Sequence, residues 1–302
     1  MLRVWALFAF GCAAAANAAA PTSLPVKHFV AWPHQWGTRT VKAAGLGLKI
    51  EPRLCGDRRP VSEGCWTGDH YMVVTVEAPG MAPLSIEGEA GVAHYIGVGE
   101  LSPTAVRPSV FLITDSGGSG GCVDISLAVP DSKGYRVGRL GRPGSAHDPF
   151  CRTDPARLKW PRDLSGRGRP ELRLLDDRFS CAFTSCAGSW YPPRIVAIDG
   201  LRSVDVSDDP AFAPLFRADM ARARFACEHR AEEAQGPCAG FAADAARLGL
   251  SAQAWPIIEA QARRGCRVRG VATCPDGTSL IPATFPSDLR VFLRRTGYIA
   301  ER

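Results

Sequence analysis

Short apolar segments separated by Gly- and Pro-rich turns dominate the chain as far as residue 206. Several segments are runs of β-branched and aliphatic residues that stop at a turn such as Ala78-Pro79-Gly80 or Pro130-Asp131. Short strands at regular intervals with such turns predict antiparallel β-sheets. The first stretch, 21–37, has no clear period and predicts an irregular arm. The predicted strands are 71–76, 84–86, 92–98, 110–113, 123–129, 135–140, 172–175, 195–198 and 204–206, with an edge strand or hairpin within 40–54.

The hydrophobic period changes at Ser207-Asp208-Asp209-Pro210. Asp209 or Ser207 suits a helix N-cap and Pro210 suits the first helical position. Ala-rich segments with helical spacing follow, which predicts helices over 217–234, 239–250, 251–264 and 287–295. The chain is therefore predicted to have an α+β fold with two domains, an antiparallel β-rich domain over 19–209 and a small α-helical domain over 210–302.

The N-terminus predicts a secretory signal peptide over residues 1–18. Arg3 precedes an apolar stretch, and Ala16-Asn17-Ala18 forms an A-x-A cleavage site. The stretch is shorter than the roughly 20 apolar residues of a membrane span. We therefore expect a periplasmic or secreted protein without a membrane span. Cys12 raises the alternative of a lipoprotein, although Ala9-Phe10-Gly11 is a poor lipobox.

Cysteine usage fits export. Eleven cysteines occur in the sequence, and ten remain after residue 18. An even number in an exported chain indicates disulfides. Pairing each cysteine with its neighbour in sequence is the simplest of many possible connectivities. A bond between Cys181 and Cys186 needs a turn near Thr184, since an extended chain would hold their Cα atoms about 16 Å apart. The expected pairs are Cys55–Cys65, Cys122–Cys151, Cys181–Cys186, Cys227–Cys238 and Cys266–Cys274.

Charge and motifs argue against several function classes. The net charge of +6 becomes +5 without Arg3, and its basic residues alternate with acidic and apolar ones, so we expect no nucleic-acid partner. Asp115-Ser116-Gly117-Gly118 resembles the nucleophile segment of trypsin-like serine proteases. Thr114 stands where those enzymes need a Gly for the oxyanion hole. We therefore expect that Ser116 is not catalytic.

A Gly-rich turn ahead of the strand at 172–175 carries three oxygen donors: Asp163, Ser165 and Glu171. It resembles the calcium turn of FG-GAP and VCBS-type β-propeller blades, in which an Asp-x-Asp-Gly-Asp-Gly run ends in an acidic residue before a strand. The wider segment 110–206 looks like uncharacterised exported bacterial proteins that carry one such turn. The resemblance implies that Asp163, Ser165 and Glu171 occupy metal-binding positions.

Arg167 departs from that pattern, because a guanidinium has no lone pair to offer a metal. We expect its side chain to pair with Asp163 or Glu171, and we expect no cofactor, with calcium disfavoured. The turn also differs from an EF-hand, which needs a Glu where this chain has Leu174. The same glycines suit a simple tight turn between strands.

Two function classes remain open. The first is an exported, non-catalytic binding or interaction protein, whose partner is another protein or an envelope polymer. The alternative is an exported hydrolase acting on an envelope polymer or peptide. A pocket with two carboxylates of raised pKa would favour the hydrolase, and a smooth surface with one apolar patch would favour binding.

Overall fold

The computed structural model describes residues 19–57, 69–102, 104–117, 122–141, 149–151, 153–229, 234–267 and 284–300. The expected signal peptide and Cys12 lie outside these ranges. The β-strands all precede the α-helices, which confirms the α+β class with an antiparallel β-rich N-terminal part. The strands in these ranges are β1 (Phe29–Ala31), β2 (Arg39–Ala43), β3 (Leu46–Leu54), β4 (His70–Glu77), β5 (Leu84–Glu87), β6 (Ala93–Gly99), β7 (Ser109–Asp115), β8 (Val123–Asp131), β9 (Gly134–Leu140), β10 (Glu171–Leu175), β11 (Pro193–Asp199) and β12 (Arg202–Asp205).

The strands form three antiparallel sheets, with orders β2-β3-β4-β5, β1-β6-β7-β8-β9 and β10-β11-β12. Of the edge strand or hairpin predicted within 40–54, the structure has the hairpin, as β2 and β3, which turn at Ala44 and Gly45. The prediction of an irregular arm over 21–37 was wrong for β1, which pairs with β6 at Val30↔Ile96. The three residues of β1 are too few to show an alternation of apolar and polar positions, so β1 can be recognised only from its pairing with β6.

The five-stranded sheet is the middle layer. One face packs on the four-stranded sheet through side chains such as Leu48, Ile96 and Leu112. The other face packs on the three-stranded sheet through Phe111 and Leu172, among others. Burial on both faces explains why the centre of β7 is a continuous apolar run instead of an alternating one.

Among the described residues, four α-helices follow β12: α1 (Ala213–His229), α2 (Gln235–Arg247), α3 (Ser251–Arg267) and α4 (Phe285–Arg295). A 3-10 turn at Pro210–Phe212 leads into α1, and the Asp209 carboxylate accepts a hydrogen bond of 3.0 Å from the Ala211 N–H, as an N-cap does. The helices share a core built largely of alanine side chains. No helix in the described ranges is long and apolar enough to cross a membrane.

The connection from β10 to β11 joins the β-sheets to the helices. Phe179, Phe183 and Trp190 from this connection pack into the helical core. Ile195 of β11 packs on Phe212 and Phe216 at the start of α1. The hydrophobic cores include residues from both sides of the predicted domain boundary between residues 209 and 210, and that boundary stays a prediction.

Three of the expected disulfides are present in the structure: Cys122–Cys151, Cys181–Cys186 and Cys227–Cys238. The Cα atoms of Cys181 and Cys186 are 4.3 Å apart, with the chain bent at Thr184. Cys55 is buried and disulfide-bonded. The residues Cys65 and Cys274 and the side chain of Cys266 lie outside the described part, so two predicted pairs stay predictions.

Candidate functional site

The predicted metal turn brings its three oxygen donors together. The Ser165 hydroxyl lies 2.7 Å from Glu171 Oε1 and 3.4 Å from Asp163 Oδ1. Main-chain N–H groups, however, already donate to these carboxylates. The Asp163 carboxylate accepts hydrogen bonds from the N–H groups of Arg167 at 3.0 Å and Gly168 at 2.8 Å. These bonds lower the pKa of Asp163, and the bond from Gly168 has the larger effect. The turn is thus organised by N–H donors.

Two arginines complete this turn. Arg169 Nε donates to Glu171 Oε1 at 2.6 Å, and its Nη2 donates to Asp209 Oδ2 at 3.1 Å. Arg167 also pairs with Asp209. The expectation that the Arg167 side chain pairs with Asp163 or Glu171 was therefore wrong. The Asp163 oxygens accept main-chain hydrogen bonds, and Arg169 is the residue that reaches Glu171. The Arg169 guanidinium thus pairs with Glu171, one of the two carboxylates of this turn.

No group of three or more His, Cys, Asp or Glu side chains within the described ranges is arranged to hold a metal ion. The expectation that the turn works without calcium stays a prediction.

The Ser116 hydroxyl takes part in a local turn. It donates to the Cys122 carbonyl at 2.9 Å, which joins the two ends of the β7–β8 connection. The neighbouring Asp115 carboxylate accepts from the Gly117 N–H at 2.8 Å. Both side chains therefore stabilise the main chain of this connection. That Ser116 has no catalytic role remains a prediction.

Polar side chains are also buried at one end of the two large sheets. His94 Nε2 lies 3.2 Å from the Glu89 carbonyl, and Ser126 Oγ donates to the Glu87 carbonyl at 2.8 Å. Arg139 pairs with the Glu89 carboxylate. Burial lowers the pKa of His94, which favours its neutral form. These contacts fix the chain between β5 and β6 over the end of the sheets, which is a structural role.

A surface depression of about 390 Å³ lies beside α1. Phe225 is 64% exposed, and its ring stacks on His229 with 4.3 Å between the ring centroids. A large exposed aromatic ring next to a half-buried tryptophan and an arginine is typical of residues that dominate binding energies at interfaces. The residues that line the depression are Trp190, Ala221, Arg222, Phe225 and Ala226.

The depression lies next to a buried aspartate of α1. Asp219 is 3% exposed, and its Oδ2 accepts a hydrogen bond of 3.0 Å from Trp190 Nε1. Its Oδ1 accepts from Arg222 and lies 3.9 Å from Arg173 Nη2. Asp219 thus fixes the orientation of Trp190 and holds Arg222 at the edge of the depression.

A second aspartate, Asp244 of α2, is fully buried beside Asp219. Among the described residues no N–H or hydroxyl group donates to either Asp244 oxygen. Burial, and then the Asp219 charge, raise the pKa of Asp244 to about 9, against the opposing effects of Arg247 and Arg173. Two adjacent carboxyl groups form a hydrogen bond only if one keeps its proton. The raised pKa favours the neutral form of Asp244 at neutral pH, and a protonated Asp244 can donate to Asp219.

The protonation of Asp244 affects the balance of charge at the edge of the depression. Arg173 and Arg222 both face the Asp219 carboxyl group, and their side chains are 45% and 63% exposed. Because burial favours the neutral form of Asp244, that residue adds little negative charge to balance the two guanidinium groups. The edge of the depression therefore favours an anionic group.

Glycines allow this arrangement to form. At Gly240 of α2, a Cβ atom would collide with the Trp190 ring. At Gly236, a Cβ atom would collide with the Gly188 carbonyl. The Cys227–Cys238 disulfide ties α1 to α2 close by. These features place Trp190 against both helices.

Sequence reasoning did not identify Trp190, Asp219, Asp244 or Arg222 as site residues. One signal was available, because Asp244 interrupts the apolar run 241–246 of a predicted helix. A carboxylate in such a run is rarely buried without a partner. Its partner Asp219 and the orientation of Trp190 depend on tertiary packing.

Comparison with known proteins gives one partial match. Residues 216–297 are similar to the family model described as the sll0997 C-terminal domain. This region contains both aspartates and most of the depression, but it spans less than half of the chain. No curated protein matches, and no solved structure matches.

Proposed function

We propose that this chain is an exported binding protein whose α1 depression binds an acidic segment of another protein. The observation that carries the proposal is the combination of exposed Phe225 with the two exposed guanidinium groups of Arg173 and Arg222 beside it. An apolar side chain of the partner would pack on Phe225 and Trp190. A neighbouring carboxylate of the partner would pair with the guanidinium groups.

The lining of the depression favours a peptide over an envelope polymer. Trp190, Ala221, Phe225 and Ala226 present mainly apolar surface, and Arg222 is the charged side chain among the lining residues. A polymer of sugars is recognised through several converging polar groups that match its hydroxyls. An acidic segment with one apolar anchor needs fewer such groups.

The disulfides support the exported location. Three pairs within one chain fit an oxidising compartment outside the cytoplasm. The sequence pattern of a signal peptide adds the route, and we infer that the mature protein acts in the periplasm or after secretion.

The hydrolase alternative has one observation in its favour. Asp219 and Asp244 are paired carboxyl groups, and burial raises the pKa of Asp244. Both residues are buried, however, and the Asp219 oxygens accept from Trp190 and Arg222. A general acid must reach the atom that it protonates. The closed pair therefore favours a role in positioning the binding surface.

Binding can be tested with random dodecamer peptides displayed on phage and selected on the immobilised mature protein. We expect enrichment of peptides that combine Asp or Glu with an apolar residue. Phe225→Ala and Arg222→Gln should each weaken the binding of a selected synthetic peptide by at least about tenfold.

Two matched controls come from exposed positions away from the depression. Arg224 lies about 200° around α1 from Arg222, and Val291 of α4 is 53% exposed. Arg224→Gln and Val291→Ala should leave the peptide affinity unchanged. Equal losses in all four variants, or no enrichment of acidic peptides, would contradict the proposal. Retention of dextran sulfate without retention of peptides would assign the surface to an anionic polymer instead.

A further inference from the structure

The disulfides of the described residues differ in exposure. Cys227 and Cys238 are 1% and 0% exposed, and Cys151 is also buried. Cys181 and Cys186 are both exposed. Thiol–disulfide exchange needs direct access of a thiolate to a disulfide sulfur. Of the three described disulfides, Cys181–Cys186 is therefore the one open to attack from either end.

The surroundings of the two sulfurs are unequal. The Ser180 Oγ lies 3.3 Å from Cys181 Sγ. A hydroxyl at this position can donate to a thiolate that forms on Cys181. Cys181 also adopts a left-handed backbone with φ of 53°, which is unfavourable for a residue with a side chain, and its N–H donates to Ser189 Oγ at 2.9 Å. Opening of the bond lets Cys181 leave that conformation.

We propose that Cys181–Cys186 is a thiol–disulfide exchange site of this protein, with Cys186 as the attacked sulfur and Cys181 as the leaving group. A thiolate of a dithiol reductant attacks Cys186 Sγ and forms a mixed disulfide. The Cys181–Cys186 bond breaks, and its electron pair leaves on Cys181 Sγ, which accepts the Ser180 hydrogen bond and then a proton from water.

The second thiol of the reductant completes the exchange. It attacks the reductant sulfur of the mixed disulfide and releases the Cys186 thiolate, which also takes a proton. Two electrons pass from the dithiol to this protein, the reductant becomes a disulfide, and Cys181 and Cys186 become thiols.

The exchange acts on a loop that borders the α1 depression. The Phe183 ring lies 5.3 Å from the Phe285 ring and 5.0 Å from the Phe292 ring of α4, measured between centroids. Trp190 follows in the same connection and bonds to Asp219. Reduction therefore removes the cross-link from the loop that positions one wall of the depression. This consequence rests on the proposed function, whereas the exchange itself does not.

Graded reduction of the full mature protein tests the assignment. The oxidised protein is equilibrated with increasing reduced glutathione, quenched with N-ethylmaleimide and mapped by mass spectrometry. We expect Cys181 and Cys186 to be alkylated at a glutathione concentration at least about tenfold below that needed for Cys122 or Cys227. The glutathione adduct trapped at early times should be on Cys186.

Ser180→Ala tests the leaving-group assignment, with Ser287→Ala on α4 as the matched control. Ser180→Ala should slow adduct formation several-fold, and Ser287→Ala should not. Reduction of Cys227–Cys238 at the same or lower glutathione concentration would overturn the proposal, as would an adduct on Cys181 or equal rates in both serine variants.

Peptide binding separates this proposal from the proposed function. Binding of the selected acidic peptide should weaken when Cys181–Cys186 alone is reduced. If the oxidised protein binds no acidic peptide but exchanges selectively at Cys186, the proposed function fails and the exchange site stands.

Discussion

Asp244 shows how one buried carboxyl group makes stability depend on pH. In the unfolded chain its pKa is about 3.8, and in the fold burial beside Asp219 raises its pKa to about 9. Between these values the folded protein keeps a proton that the unfolded chain releases. The contribution of this group to stability therefore falls as the pH rises from about 4 to about 9, with a slope of at most about 1.4 kcal/mol per pH unit.

Asp244→Asn should remove this dependence. An asparagine amide can donate to the Asp219 carboxylate without taking up a proton, so the variant should be more stable than the wild type at pH 8. The difference in free energy of unfolding should shrink as the pH is lowered towards 4. Urea unfolding at pH 5, 6.5 and 8 measures it.

The control for this prediction is Asp288→Asn, which removes one negative charge at an exposed position of α4. Its stability relative to the wild type should change little over the same pH range. If Asp244→Asn were less stable than the wild type at pH 8, Asp244 would be ionised in the folded protein, and the inference that it keeps its proton would be wrong.

Residue-scale prediction from sequence succeeded where the partners are near in the chain. The resemblance to a calcium turn grouped Asp163, Ser165 and Glu171, and in the structure the Ser165 hydroxyl lies near both carboxylates. The contact of Arg169 with Asp209 spans 40 positions, and local spacing does not reveal it. The same is true of Asp219 and Asp244, since their meeting depends on how α1 packs on α2.

At the scale of elements, most strands and helices follow from their patterns. The continuous apolar runs of β7 and β8 and the cap at Asp209 are local signals, and the structure confirms them. The boundaries are less local. Pro210, expected at the first helical position, begins a 3-10 turn over Pro210–Phe212, and the α-helix itself starts at Ala213 as α1, ahead of the Ala-rich segment expected over 217–234. Short β1 became a strand only through pairing with β6.

The turn before β10 allows a test at this scale. Arg169 forms ion pairs with buried Glu171 and with Asp209. The side chain of Arg167 is 56% exposed, and it pairs with Asp209. Arg169→Ala should lower the free energy of unfolding by about 1–3 kcal/mol, because it takes a charged partner from a buried carboxylate. Arg167→Ala should cost at most about 1 kcal/mol. Thermal or urea unfolding compares the two.

Calcium provides the control for the same turn. Wild-type melting temperatures with calcium and with a chelator should agree, because main-chain N–H groups and Arg169 already satisfy the carboxylates. A calcium-dependent rise of several degrees that Asp163→Ala abolishes would mean that the turn binds the ion and that the arginines move aside.

At the scale of the whole molecule, the connection from β10 to β11 determines how the helices sit on the sheets. Its residues reach α4 through Phe183, α1 through Trp190, and α2 through the contact of Gly188 with Gly236. The sequence predicted sheets followed by helices. It did not predict that this connection would join them, because its two cysteines and the prolines at its end indicate only a turn.

The close approach of Gly236 to Gly188 leads to the last prediction. Alanine is normally favoured over glycine in a helix by about 1 kcal/mol. At Gly236, however, the added Cβ would collide with the carbonyl of buried Gly188, and main chain cannot rotate away as a side chain can. We therefore expect Gly236→Ala to lower the free energy of unfolding by about 1–3 kcal/mol, the usual cost of overpacking. Hydrogen exchange should also increase across residues 181–191.

The control is Gly56→Ala, where the new Cβ meets no atom within 4 Å; it should change the free energy of unfolding by less than about 0.5 kcal/mol. If Gly236→Ala matched or exceeded the wild type in stability, the connection would not be held against α2, and Trp190 would lack the support that the binding surface needs.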